Sequence, residues 1–167
     1  AVRDGIADPA RMWIVGWSYG GYAALMSAVR EPELYRCAGS IAGVSDLRAL
    51  KSQQRRFYGG RAGSNFAIGS DDDELKAGSP LRAVGRIQVP VLIVHGDADV
   101  NVVIDHSRNM ARALDKANKP TKLVIVKDGD HSLVPGEWRT IAFTELELFL
   151  AENLRQPTPT AVQSAAH

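Results

Sequence analysis

The stretch Val91-Leu92-Ile93-Val94 constrains this chain more than any other. It is apolar at every position rather than at every second one, and it is flanked by Val89-Pro90 and His95-Gly96. A strand of that kind buries both faces, the habit of a parallel sheet covered by helices. Met12-Trp13-Ile14-Val15-Gly16, Cys37 to Ala42 and Thr121 to Val126 are further short apolar runs that read as buried strands. Helical patterns lie between and after them. Gly20 to Arg30 is rich in helix formers and is limited by Pro32. Val102 to Asn118 places Ile104, Met110, Ala113, Leu114 and Ala117 at helical spacing, and Glu137 to Leu154 does the same with Trp138, Ile141, Ala142, Leu146, Phe149 and Leu150. Ser45 to Pro80 predicts short helices and loops without a strand. Such alternation implies an α/β fold, a mostly parallel sheet with helices on both faces. Residues 1–155 form the expected folded unit. Residues 156–167, opening Gln156-Pro157-Thr158-Pro159, read as a loose tail.

Composition narrows the function. The 167 residues hold 20 Lys+Arg and 19 Asp+Glu, for a net charge of +1 without like-charge blocks. That pattern argues against a nucleic-acid partner. The apolar runs are too short to span a bilayer, so no membrane partner is expected either. The first residues carry no signal pattern of charge, apolar core and small-residue cleavage site. Nothing names a compartment, and the cytoplasm is the default for a soluble chain. Cys37 is the only cysteine, which excludes an intrachain disulfide and a thiolate zinc cluster. It reads as a small buried hydrophobe.

In a parallel sheet the functional residues lie beyond the carboxyl ends of the strands, here after Gly16, Val94 and Val126. The first of these ends continues as Gly16-Trp17-Ser18-Tyr19-Gly20-Gly21, a G-x-S-x-G pattern between a strand and a helix. By composition that pattern arises in about one chain in twenty of this length, so the context carries the argument. A Ser on such a turn holds a strained backbone and lifts its hydroxyl above the sheet, with glycines where side chains would clash. The amide of Tyr19, at a helix N-terminus, can donate to a developing oxyanion. The next end carries His95-Gly96-Asp97-Ala98-Asp99-Val100-Asn101-Val102, and the last Asp128-Gly129-Asp130-His131. A Ser hydroxyl needs a base, best a His held by a carboxylate. The order Ser, Asp, His is that of an α/β-hydrolase, with Asp97 and Asp99 both open as the acid. His95 reads as structural, and His106 and His167 as solvated. Asp71-Asp72-Asp73-Glu74 lacks the ligand spacing of a calcium loop and reads as a solvated loop or helix start.

The segments Gly16 to Gly21, His95-Gly96-x-x-Asp99-x-Asn101-Val102 and Asp130-His131, with Asp8-Pro9-Ala10-Arg11 ahead of them, resemble the prolyl oligopeptidase family of serine peptidases. The likeness covers residues 1 to 154 and is nearest to the dipeptidyl aminopeptidase and acylaminoacyl peptidase branches. It implies Ser18 as nucleophile, Asp99 rather than Asp97 as the acid, His131 as the base and Tyr19 in the oxyanion hole. It implies Asn101, with Val102 beside it, at a substrate carbonyl. It also implies a pocket for the residue before the cleaved bond, formed by Val44, Leu47 and Leu50 where post-proline members place aromatics. The expected substrate is a peptide, or a small ester if the chain is a carboxylesterase with the same residues. No metal or cofactor is implied. The family's catalytic domain has further strands, and a loop bearing an oxyanion tyrosine, ahead of the nucleophile strand, and many members add a β-propeller. The likeness therefore implies the C-terminal part of an α/β-hydrolase domain, a fragment or a version completed by another chain. A catalytically silent assembly module is the remaining alternative. Strand 12–16 would be an exposed edge, covered by a second copy or by an upstream segment, and helix 20–30 would carry uncovered apolar surface.

Overall fold

The computed structural model describes residues 2–56 and 59–154. Four strands, β1 (Trp13–Trp17), β2 (Cys37–Ile41), β3 (Val91–Gly96) and β4 (Thr121–Val126), form one sheet in the order of the chain. All neighbours are parallel, with Val15 opposite Gly39, Ser40 opposite Ile93 and His95 opposite Ile125. The helices are α1 (Tyr19–Arg30), α2 (Leu47–Gln54), α3 (Gly60–Ile68), α4 (Asp72–Ala77), α5 (Asp105–Lys116) and α6 (Gly136–Asn153). No strand occurs among the described residues between β2 and β3, as the sequence predicts.

Side chains alternate across each strand and divide the core in two. Val91 and Ile93 of β3 join Leu25 and Val29 of α1 and Met110 and Leu114 of α5 in one cluster. Leu92 and Val94 join Cys37, Ile41, Val126, Ala142 and Phe149 in the other, beneath α6. Strands added in one direction by crossovers of one hand leave their connections on one face. That places α1 and α5 together and leaves the opposite face to α6. All six residues of β3 are buried, as its unbroken apolar run requires.

Several expectations are corrected. β4 is not a buried strand: it is the sheet's other edge among the described residues, and Ile125 is 43% exposed. Helix α5 begins at Asp105 rather than near Val102, because Asp99 holds the preceding loop through the amides of Asn101 and Val102. Ile141 faces outward on α6. Helix 20–30 carries no uncovered patch, since Ala24, Leu25, Met26, Ala28 and Val29 are all buried. His106 is not solvated but 3% exposed. Gly59-Gly60 opens α3, and Asp71 caps α4 by accepting from the amides of Asp73 and Glu74, so the acidic run is a helix start. Cys37 is fully buried, and burial pushes its thiol up to about 11, which keeps it protonated and inert. The tail 156–167, His167 included, lies outside the described residues.

Candidate active site

β1 runs into α1 through Ser18, whose φ of 57° and ψ of −118° lie where non-glycine residues rarely sit. Such a conformation costs on the order of 1–3 kcal/mol and persists because its surroundings hold it. The Ser18 amide donates to the Ile41 carbonyl at 2.8 Å and its carbonyl accepts from the Tyr22 amide at 3.1 Å. Gly16 permits the turn, since a Cβ there would stand 2.1 Å from the Gly20 carbonyl oxygen. Gly20 is different: a Cβ there would meet nothing within 4 Å. The expectation that each glycine of the pattern avoids a clash is therefore corrected for Gly20.

The loops after β3 and β4 are joined to each other. Asp97 N donates to the Val126 carbonyl and Ala98 N to the Gly129 carbonyl. Gly96 allows that approach, because a Cβ there would lie 2.1 Å from the Gly129 oxygen. Trp17 Nε1 then ties the second loop to β1 by donating to the His131 carbonyl at 2.9 Å. Three strand ends thus converge on one point.

At that point His131 Nε2 lies 2.9 Å from Ser18 Oγ, and His131 Nδ1 lies 2.7 Å from Asp99 Oδ2. The carboxylate fixes the proton on Nδ1, which leaves Nε2 free to accept from the hydroxyl. Asp97 does not reach the imidazole; its Oδ1 accepts from the amide of Asp128. Asp99 is held from several sides. Its Oδ1 accepts from the amides of Asn101 and Val102, and its Oδ2 also meets His95 Nε2 at 3.1 Å. His95 Nε2 faces a second acceptor, the Val102 carbonyl at 2.8 Å, so this nitrogen carries the proton and Nδ1 accepts from Ser107 Oγ. Burial alone would raise the Asp99 carboxyl, but the donors from His95, Val102 and His131 outweigh it and hold the group below its usual range. His95 has the structural role read from sequence, though its contact with Asp99 had no sequence signal.

Two cavities meet at Ser18. One, of about 460 Å³, is walled by Tyr19, Val44, Leu47, Leu50 and Val102. Tyr22, Gln54, Ala67 and Ile68 complete it with Ser18 and were missed in the sequence. Tyr22 lies four residues after Ser18 on α1, so helical spacing alone could have found it. The other, about 300 Å³, is lined by Asn101, Val102, Gln53 and His131. Tyr19 is the first residue of α1, so its amide is one of the donors that a helix start leaves without an intrahelical acceptor. Among the described residues no cluster of His, Cys, Asp and Glu could hold a metal ion.

A strained serine, an imidazole within hydrogen-bond reach and a buried carboxylate behind it can transfer an acyl group. The sequence model of the prolyl oligopeptidase family matches residues 1–157. The chain belongs to that family. Dipeptidyl peptidase family member 6 of Caenorhabditis elegans is 29% identical over 161 residues, covering 92% of this chain and 22% of that protein. The solved puromycin-hydrolyzing peptidase of Mycobacterium tuberculosis superposes with a TM-score of 0.83 at 26% identity, over 93% of this chain and 24% of that one. Dipeptidyl peptidase 4 of Porphyromonas gingivalis gives a TM-score of 0.75 at 32% identity, over 89% and 20%. The fold is accordingly that of the α/β-hydrolase domain of these peptidases. The chain spans about a fifth of the length of the curated relatives it matches. Among the described residues no helix is long and apolar enough to cross a membrane.

Proposed function

We propose that this family member is a serine-type peptidase acting through an acyl-enzyme. The observation that carries the reading is the relay from Ser18 Oγ through His131 to Asp99, at 2.9 and 2.7 Å, on a backbone held at positive φ. In this reading Ser18 Oγ attacks the scissile carbonyl while His131 Nε2 takes its proton. The carbonyl oxygen gathers charge beside the amide of Tyr19, a donor at a helix start. His131 then returns the proton to the leaving amine, and water repeats the sequence to release the acid. Asp99 keeps the imidazole in the required tautomer and stabilises its charged form. The residue whose carbonyl is attacked fits the cavity of Val44, Leu47, Leu50 and Tyr22, and Asn101 lies where it can meet a substrate carbonyl.

Relatives named as dipeptidyl peptidases support an amide rather than an ester as the natural target. Turnover of an amide and an ester sharing one apolar acyl group tests this. A peptidase cleaves both and loses both in Ser18→Ala. Cleavage of the ester alone identifies a carboxylesterase, and cleavage of neither marks an assembly module.

A further inference from the structure

Helix α2 has two faces of different chemistry. Leu47, Leu50 and Gln54 line the cavity at Ser18. Arg48, Lys51 and Arg55, each one position further on, line a separate cavity of about 610 Å³ that reaches across to α3 and α4. Arg61 of α3 and Arg82 of the 3-10 turn Pro80–Arg82 add to its wall, so five cations face it among the described residues.

Two carboxylates also line the space, and both are occupied. Asp46 caps α2 with Oδ1, accepting from the amides of Arg48 and Ala49, and its Oδ2 accepts from Arg82 Nη2 at 2.9 Å. Asp72 takes Arg48 Nε at 2.8 Å and lies 3.6 Å from Lys76 Nζ. That leaves the side chains of Lys51, Arg55 and Arg61 without an ion pair or hydrogen bond to any described residue. Lys51 is the most enclosed of the three, 7% exposed as a residue, and lines the cavity from α2. Cations that share one cavity repel one another, and an anion entering it relieves that repulsion.

We propose that this cavity binds a small multivalent oxyanion, a molecule carrying two or more phosphate or carboxylate groups. The volume is that of a small-molecule site. Guanidinium forks from α2 and α3 can take such groups in pairs while Lys51 serves as a point charge beneath them. An occupant would tie α2 to α3.

Calorimetric titration of the full 167-residue chain with tripolyphosphate and with citrate, at low and at moderate sodium chloride, tests the site. One class or both bind at one site per chain, more weakly as salt rises, and the preferred class names the chemistry. Lys51→Met, which removes the charge and keeps the length of the side chain, and Arg61→Gln, at an exposed position of α3, each weaken binding tenfold or more. Thermal melts of both variants confirm that they remain folded. Failure of both anions to bind the parent chain, or binding that neither substitution weakens, would overturn the proposal.

Discussion

Asp97 and Asp99 stand two positions apart on one loop, yet only Asp99 touches an imidazole. Asp97 accepts from the Asp128 amide, a role that an amide oxygen can also fill. Asp99→Asn is therefore expected to lower turnover by about 10³–10⁴-fold through loss of the correct tautomer. Asp97→Asn should change it only a few-fold. Equal losses in the two variants would place the orienting carboxylate elsewhere. His106 supplies a second residue-scale prediction. Its Nδ1 accepts from the amides of Ser45 and Asp46, its Nε2 has no partner, and burial lowers its pKa from 6.5 to about 4. The unfolded chain thus binds a proton that the folded chain refuses between those two values. The stability His106 contributes is complete above 6.5 and is lost as pH falls toward 4, on the order of 3 kcal/mol in all. Asp99 acts only lower, below its ordinary 3.8. Denaturant midpoints measured from pH 7.5 to 4.5 should fall in the parent chain and flatten in His106→Gln. Identical slopes would remove His106 from the account.

At the scale of elements, α2 supplies Leu47, Leu50 and Gln54 to the wall of the cavity beside Ser18. Leu47 and Leu50 share one face of it, and Val44 lies in the approach. Apolar contacts discriminate by only about 1–3 kcal/mol per methylene-sized change, so the preferred residue before the cleaved bond should be apolar without restriction to proline. A panel of substrates varied at that residue checks this, and strong selection for proline or for a basic residue would contradict it. The elements themselves were largely legible. An unbroken apolar run gives β3, and a run of small and apolar residues interrupted only by Ser40 gives β2, because parallel strands in mid-sheet bury both faces. The same rule misreads β4, where Lys122 in the strand, exposed in the structure, is the charge that marks an edge. Helix α5 starts late because Asp99 Oδ1 holds the loop before it through the amides two and three residues on, a local side-chain turn that apolar periodicity does not register. Ser18, Asp99 and His131 were legible because local chain chemistry, a strand followed by a turn, places each of them. The buried His106 depends on packing between distant elements, since it meets the amides of Ser45 and Asp46, and its one-letter context looks ordinary.

The whole molecule is a four-stranded sheet whose first strand bonds on one side only among the described residues. Trp13 on that edge is 41% exposed, and Phe143 of α6, close to Trp17, is 50% exposed. Unpaired strand groups beside exposed aromatics favour pairing with a further strand, from an upstream segment or, in these 167 residues alone, from a second copy. Light scattering over a dilution series should show mass above that of a monomer, shifting toward the monomer in Trp13→Lys. A monomer at every concentration would contradict the prediction. In the proposed function the chemistry lies away from that edge and needs Ser18, Asp99 and His131 delivered together from three strand ends. Reaction of the folded chain with a fluorophosphonate reads that assembly in one step, because the reagent traps a serine only where a base takes its proton. Peptide mass spectrometry should locate a single adduct on Ser18, absent after denaturation and strongly reduced in His131→Ala. An unlabelled Ser18 in the folded chain, or an adduct on another serine that survives Ser18→Ala, would contradict the central claim.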